Sequence, residues 1–361
     1  MSDATVETSE AGDAAQCKDV DDSTPVNKLQ TTTQESDESA HQATRLDLSK
    51  ITIDPDASQS FLKEGTHRVP YMLVAVDAKG NRILLKSSAM FCANGSLLPH
   101  DKIIPTLTQY TDNPLDEYVH IVKDLRAEEA AYEIAKLINI PMAETRFTTV
   151  DQVPFVAYAY IEGAVDIGFG NGVLKFSQEP SLLQHQEAAL AGGALIKCLI
   201  GGWGDNGQYL KDESGNMYIS DIRLIQDSDI TSQKLLADIA KQSIDGMGYF
   251  ITNITNLQHQ INGMGTDIFQ QNLRQLSQLT PEKVLPIFMS DPTCTPDKAR
   301  ERAAMLVNRA HTVARLFTIL SSQPENTIKM LGPKTGNSSI YTEDEISEAR
   351  MFLYSLINSK N

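Results

Sequence analysis

The stretch GDNGQYLKDESGNMYISDIRL, residues 204–224, decides the fold and the function that we predict for this chain. Residues 208–220 have the pattern of two short strands joined by a polar, glycine-containing turn. One acid, Asp205, precedes this hairpin, and a second acid, Asp221, ends it. The pattern therefore predicts a hairpin with an acid at each end.

The chain before this hairpin is rich in strand patterns, and the chain after it is helical. Strands are predicted at residues 69–77, 82–91, 145–150, 154–161, 208–211 and 217–220. Helices are predicted at residues 114–138 and 182–200, and over nearly all of the chain after residue 231. This order predicts an α+β fold in which a small strand-rich part is followed by a large helical part.

A lysine and a glutamate add to the two acids. Lys86 lies in an apolar strand, and Glu128 lies in the helical segment RAEEAAYEIAKLI, residues 126–138. At 3.6 residues per turn, Glu128 falls on the same face as Ala131 and other apolar residues, which points it inward. A carboxylate that points inward needs a cationic partner, and Lys86 is the candidate. Glu129, on the polar face, is the alternative glutamate.

Together these pieces resemble the protein-kinase superfamily, in particular its HipA-like and phosphoinositide-kinase-like branches. Those branches favour a Gly-Asp or Asn-Asp start, a strand like Gly-Asn-Tyr-Leu and a hairpin that ends in Asp-Phe-Gly. Here the strand is GQYL, residues 207–210, and the end is DIR, residues 221–223. Residues 160–163, YIEG, resemble the hinge of that branch. The resemblance implies a bilobal fold with an N-lobe at residues 50–162 and a C-lobe at residues 163–361.

The resemblance covers about residues 69–230 and implies ATP with Mg²⁺ or Mn²⁺ as cofactors. It also implies a role for each matching residue. Lys86 would contact the α- and β-phosphates of ATP, and Glu128 would steady Lys86. Asp205 would orient the attacking hydroxyl, and Asp221 with Gln208 or Asn206 would bind the metal. The adenine would meet the backbone of Tyr160, Ile161 and Glu162.

Departures from the family pattern keep other functions open. The loop between Asp205 and Gln208 is about two residues shorter than in the family, Gln replaces Asn, and Ile-Arg replaces Phe-Gly. The first hairpin also lacks a glycine-rich loop. We expect an ATP-dependent protein Ser/Thr kinase. The alternatives are a lipid or inositol kinase, a nucleotidyl or glutamyl transferase on the same fold, and a pseudokinase scaffold.

A basic patch is predicted on the helix that begins at Pro296. Three of its cations lie within about 40° of one another, and others form a second flank. Because clustered arginines suit phosphate oxygens, the patch predicts a site for a phosphoinositide headgroup or a soluble inositol polyphosphate that orders the helical part. The alternative is a solubilising face. The predicted residues are Lys298, Arg302 and Arg309, with His311, Arg315 and Arg300 on the second flank.

The charge of −16 is unevenly distributed, because residues 1–47 carry 11 acids and only three lysines and arginines. This stretch is also poor in large apolar residues, which predicts a disordered tail. The acidic balance argues against a nucleic-acid partner.

The sequence contains no run of about 18 apolar residues, so no transmembrane helix is predicted. The first residues lack the pattern of a signal peptide, and the four scattered cysteines predict a reducing compartment without disulfides or structural zinc.

The acidic run TEDEISE, residues 342–348, resembles the translocation signals of Legionella-type effectors. That resemblance implies a bacterial protein that is secreted into the host cytoplasm, with a peripheral membrane location as the alternative. It also implies a host protein as the substrate. The alternative is an acidic helix start, which has the same residue pattern.

Overall fold

The computed structural model describes residues 46–64, 72–88, 91–93, 96–167, 174–200, 208–224, 254–331, 334–335, 338–339 and 342–358. The chain divides into residues 1–42 and residues 43–361, and all described residues belong to the second unit. Residues 1–45 of the predicted tail lie outside the described part. The last two residues of the predicted tail contact the folded body. The backbone N–H of Leu46 donates to the Glu144 carboxylate, and that of Asp47 donates to the Asp77 carboxylate.

The described secondary structure follows the predicted order. Its strands are β1 Thr52–Ile53, β2 Met72–Val76, β3 Arg82–Lys86, β4 Cys92–Ala93, β5 Ser96–Leu97, β6 Thr145–Val150, β7 Val153–Ala159, β8 Val165–Asp166, β9 Gln208–Lys211, β10 Met217–Ser220, β11 Lys334–Thr335 and β12 Ser338–Ser339. Its helices are α1 Pro55–Glu64, α2 His100–Leu107, α3 Pro114–Leu137, α4 Pro180–Ile200, α5 Ile254–Met264, α6 Asp267–Ser277, α7 Pro281–Met289, α8 Pro296–Ser322, α9 Pro324–Leu331 and α10 Glu343–Asn358.

A five-stranded antiparallel sheet in the order β1-β2-β3-β7-β6 forms the strand-rich part. Alternate residues of β3 face opposite sides of the sheet. Ile83 and Leu85 join an apolar cluster that α2 also contributes to, whereas Leu84 packs with Leu125 of α3 on the other side. Lys86 shares the face of Leu84, so the sheet alternation directs this lysine toward α3.

Strand β3 ends earlier than the sequence predicted. Its last pair in the ladder with β7 is Lys86 with Val156. Pro154 lies two residues before Val156 in β7 and has no N–H to continue the ladder. The hydroxyl of Ser87 instead donates to the Pro154 carbonyl at 2.6 Å. The predicted strand at residues 82–91 is therefore corrected to Arg82–Lys86.

The helical part is organised around α4, whose residues from Gln186 onward are all buried. Helix α5 crosses it closely at Gly263, where a Cβ atom would lie 1.9 Å from the Glu187 carbonyl oxygen. Helix α8 buries an apolar stripe of Ala299, Ala303, Leu306, Ala310, Val313 and Phe317. The α+β fold with a small strand-rich part and a larger helical part is thereby confirmed.

The hairpin β9-β10 joins the two parts of the fold. It forms a three-stranded sheet with β8. Its Ile219 exchanges backbone hydrogen bonds with the segment after α3, donating to Pro141 at 3.0 Å and accepting from Ala143 at 3.1 Å. The boundary proposed at residues 162 and 163 falls in the connection between β7 and β8. Among the described residues, no helix is both long and apolar enough to cross a membrane.

The acidic run at residues 342–348 begins α10. The hydroxyl of Thr342 accepts from the Glu345 backbone N–H at 3.2 Å, and the Glu345 carboxylate accepts from the Thr342 backbone N–H at 2.8 Å. This reciprocal pair is a capping box, which satisfies N–H groups at a helix start. A helix-start role accounts for these two residues, and the translocation signal stays a prediction.

Candidate active site

Lys86 lies at the centre of a charged cluster between the sheet and α3. Its Nζ is 3.0 Å from Glu128 Oε1, and it also contacts Asp221 Oδ1. Burial lowers the pKa of Lys86, but the carboxylates of Glu128 and Asp221 outweigh burial, so its pKa lies above its usual value. The ammonium group therefore stays protonated and is held by two acids from different parts of the chain.

Glu128 projects from the buried face of α3, together with Ala131 and Ala135. Its side chain is only 7% exposed, and its Oε2 accepts a hydrogen bond from the hydroxyl of Tyr158. Burial raises the pKa of Glu128 to about 7, although Lys86 opposes this shift. For Glu129, the alternative partner, burial raises the pKa, and the backbone N–H of Phe147 on β6 opposes this shift. The structure thus pairs Lys86 with Glu128.

Asp221 follows β10 directly and adopts a left-handed backbone conformation, with φ of +57°. Non-glycine residues rarely adopt this conformation, and asparagine and aspartate tolerate it best. The Asp221 side chain is 41% exposed, unlike that of Glu128. A carboxylate that is held by one lysine and is still open to solvent can bind a metal cation.

The residues after Asp221 attach to α3. Ile222 and Leu224 are buried, and the Leu224 backbone N–H donates to the Ala127 carbonyl at 2.9 Å. Arg223 donates to the Asp124 carboxylate at 2.9 Å. These contacts hold Asp221 beside the helix that carries Glu128.

The metal-binding candidates other than Asp221 are only partly described. Gln208 begins β9 and pairs with Ser220, so its backbone lies across from the residue before Asp221. Asp205 and Asn206 lie outside the described residues. The described part of the chain has no group of three or more His, Cys, Asp or Glu side chains that could form a metal cage. Mg²⁺ is often held by one or two carboxylates together with substrate phosphates. The single, partly exposed carboxylate of Asp221 fits that pattern.

The predicted hinge residues lie between β7 and β8. Arg82 of β3 lies over the ring of Tyr160, with 5.2 Å between guanidinium and ring centroid, and pairs with Glu162 at 3.8 Å. The Ile161 carbonyl accepts from the Ala164 N–H at 3.1 Å. The connection is therefore a defined turn that follows the end of β7.

The predicted basic patch divides into separate environments. Lys298 and Arg302 line a cavity of about 460 Å³ between α3, α7 and α8, which Lys123 and Arg126 of α3 also line. Arg302 lies over the ring of Phe288, at 4.7 Å from its centroid. This cavity lies on the outer side of the helix that carries Glu128.

The structure corrects the prediction that Arg309 belongs to the basic patch. It is fully buried, and its Nε donates to the Cys198 carbonyl of α4 at 2.8 Å. Angular position along an ideal helix places it near Lys298, but α4 covers α8 at the level of Arg309 and not at Lys298. His311 lies 3.3 Å from the Leu279 carbonyl, and Arg315 is half-buried one turn later. The predicted residues therefore do not form one surface.

Sequence reasoning missed Tyr158 and the contacts of Asp124 and Ala127 with the residues after Asp221. For Tyr158 the sequence offered only strand alternation with Val156, and the structure supplies the pairing that places this face beside Lys86. Tyr158 is two residues from Val156, which pairs with Lys86, and so lies on the same sheet face. The contacts of Asp124 and Ala127 depend on tertiary placement and leave no pattern in the sequence.

Comparisons with known proteins give similarity in solved structures only. No family model and no curated sequence matches the chain. The Helicobacter pylori proinflammatory kinase CtkA is 14% identical with a TM-score of 0.41, over 74% of this chain and 97% of that one. HipA of Shewanella oneidensis MR-1, solved with HipB and its operator DNA, is 10% identical with a TM-score of 0.32, over 76% and 74%.

The pseudokinase domain of BIR2, an immune regulator of the RLK/Pelle family, is 12% identical with a TM-score of 0.24, over 87% of this chain and 83% of that one. All three TM-scores lie below 0.5. The functional assignment therefore depends on the side chains of the site.

Proposed function

We propose that this protein is an ATP-dependent phosphotransferase of the kinase type. The observation that carries the proposal is the cluster of Lys86, Glu128 and Asp221, supplied by a strand, a helix and the residue after a hairpin. In protein kinases a strand lysine pairs with a helix glutamate, and the aspartate of the segment after the catalytic loop holds the metal. The same three residue types meet here in the same structural settings.

The cluster suits the binding of a nucleotide phosphate tail. Lys86 would bind the α- and β-phosphates, and Glu128 would hold its ammonium group in place. Asp221, with Gln208 or Asn206, would hold Mg²⁺ or Mn²⁺, which when bound neutralises charge on the β- and γ-phosphates. The backbone of residues 160–162 would meet the adenine.

Transfer would need an oriented acceptor hydroxyl, and Asp205 is the residue assigned to it. The hydroxyl oxygen would form a bond to the γ-phosphorus while the bond from that phosphorus to the β–γ bridging oxygen breaks. ADP leaves, and the hydroxyl proton passes to Asp205. Positioning and electrostatics would supply most of the rate. The favoured acceptor is a protein Ser or Thr hydroxyl.

Incubation with γ-labelled and α-labelled ATP, Mg²⁺ or Mn²⁺ and a host-cell extract tests this proposal. The key variant is Asp221→Asn, because asparagine tolerates the left-handed backbone and removes the charge. Glu213→Gln is the matched control, since Glu213 is exposed in the turn of the same hairpin. We expect transfer of the γ-label by wild type and control, and a loss of about 10²-fold or more in Asp221→Asn.

The other outcomes separate the alternatives. Transfer of the α-label would replace the proposal with nucleotidyl transfer. A γ-label found in the lipid or inositol fraction would replace the protein acceptor. ATP binding without any transfer would favour a pseudokinase.

We also propose that the cavity between α3, α7 and α8 takes an anionic phosphate ligand, such as an inositol polyphosphate, as an activator. Lys123, Arg126, Lys298 and Arg302 line it, against Asp124, Glu129 and Asp291. A ligand there would brace α3 against the helical part and so steady Glu128. Arg302→Glu combined with Lys298→Glu should abolish activation by inositol hexakisphosphate. Arg300→Glu, on the same helix but not lining the cavity, should retain it.

A further inference from the structure

Tyr158 is the second donor to the glutamate that pairs with Lys86. It lies in β7, opposite Leu84 of β3, and on the same face of the sheet as Lys86. It is buried, and it packs with Leu125, which is three residues before Glu128 on α3. The hydroxyl of Tyr158 therefore reaches Glu128 from the sheet, next to Lys86.

The two donors use different oxygens of the same carboxylate. Lys86 binds Oε1, and the Tyr158 hydroxyl binds Oε2. Rotation about the last bond of a glutamate side chain is only weakly restricted by itself. Donors on both oxygens define the plane of the carboxylate, and hydrogen bonds to a charged acceptor are the stronger kind.

The orientation of Glu128 matters because Lys86 has a second acid within reach. Lys86 also contacts Asp221, whose carboxylate is the proposed metal ligand. When Glu128 is held, it draws the ammonium group toward α3. If Glu128 were free to rotate, that attraction would weaken and Asp221 would hold the ammonium group more strongly, away from the ATP phosphates that Lys86 is proposed to bind.

We propose that Tyr158 is a positioning residue for Lys86 and acts through Glu128. The inference rests on the proposed phosphotransferase function and extends it by one residue. Because Lys86 would bind ATP phosphates equally in the ground state and the transition state, losing its placement should raise KM for ATP more than it lowers kcat.

Steady-state kinetics at saturating metal and acceptor test this, with Tyr158→Phe, Glu128→Gln and the double variant. Phenylalanine keeps the buried ring, so the fold should be retained, as thermal melting will show. We expect Tyr158→Phe to raise KM for ATP roughly tenfold, which corresponds to about 1.4 kcal/mol, with kcat within about twofold. In the Glu128→Gln background the same change should have an effect below about twofold.

Tyr118→Phe is the matched control, because Tyr118 is on α3, half-buried against Phe91 and far along the helix from Glu128. It should leave both constants unchanged. An unchanged KM in Tyr158→Phe would overturn the inference while the phosphotransferase stands. An equal loss with and without Glu128 would also overturn it, since Tyr158 would then act by packing alone. No phosphate transfer by the wild type would overturn the proposed function and this inference together.

Discussion

The backbone N–H of Leu224 donates to the carbonyl of Ala127 at 2.9 Å. Ala127 precedes Glu128, and Leu224 lies three residues after Asp221. This one hydrogen bond therefore joins the helix that supplies the glutamate to the segment that supplies the metal-binding candidate. Lys86 connects the same two acids through its side chain. The backbone bond and the side-chain cluster support each other, because each limits how far α3 can move from the hairpin.

The ion pair of Arg223 with Asp124 adds little stability to this junction. The two side chains are 47% and 38% exposed. Exposed pairs contribute about 0.2–1 kcal/mol. A double-mutant cycle with Arg223→Ala and Asp124→Ala, measured by urea unfolding, should therefore give a coupling energy of at most about 1 kcal/mol. A coupling of several kcal/mol would show that the pair is a main attachment of this segment.

Stability should depend on pH through Glu128. Its pKa is about 7 in the folded protein, above the ordinary value of 4.5. The folded state thus binds more protons than the unfolded state between these values, so the contribution of this group to stability falls as pH rises from about 4.5 to 7.

Glu128→Gln should remove that pH dependence. The difference in unfolding free energy between wild type and Glu128→Gln should change, in disfavour of the wild type, by on the order of 2–3 kcal/mol between pH 4.5 and pH 8. Denaturant unfolding at several pH values measures it. Parallel stability curves for the two proteins would contradict the raised pKa.

Gly263→Ala should destabilise the helical part. A Cβ atom at Gly263 would lie 1.9 Å from the backbone oxygen of Glu187, so one of the two helices has to shift. Overpacking of this kind costs about 1–3 kcal/mol or more. Gly192→Ala is the matched control, because it is also helical and its nearest contact would be 3.5 Å, to Ile140. It should be neutral or stabilising by up to about 1 kcal/mol. Equal effects on the melting temperature would contradict the close crossing of α4 and α5.

Arg309 should prove structural. Arg309→Ala removes a buried side chain and its hydrogen bond to Cys198, which we expect to cost about 2–4 kcal/mol of unfolding free energy. Arg300→Ala, on the same helix but exposed, should stay within about 0.5 kcal/mol. A folded Arg309→Ala protein of unchanged stability that has lost its response to inositol hexakisphosphate would restore Arg309 to the anion site.

Local patterns in the sequence predicted most of the elements near the site. The hairpin strands at residues 208–211 and 217–220 match β9 and β10, and the helix at residues 114–138 matches α3 within one residue. These predictions succeeded because strand alternation, turn composition and helical period depend on neighbours in the chain. The period of α3 also placed Glu128 on the buried face.

Patterns that depend on distant partners could not be predicted in the same way. Arg309 shares a helix face with Lys298, but α4 covers only one of them. The end of β3 depends on Pro154 in another strand. Tyr158 looked like an ordinary strand residue until its neighbour on α3 was known.

The sequence by itself determined the residue types of the candidate site and the side of its own helix or strand on which Lys86 and Glu128 lie, because those properties follow from residue type and local period. The tertiary structure decided which of them meet. Lys86 is 42 residues from Glu128 and 135 residues from Asp221, yet one ammonium group contacts both carboxylates. That convergence arises because the sheet packs on α3 and the hairpin pairs with the segment after α3, and both contacts join parts of the chain that no local pattern relates.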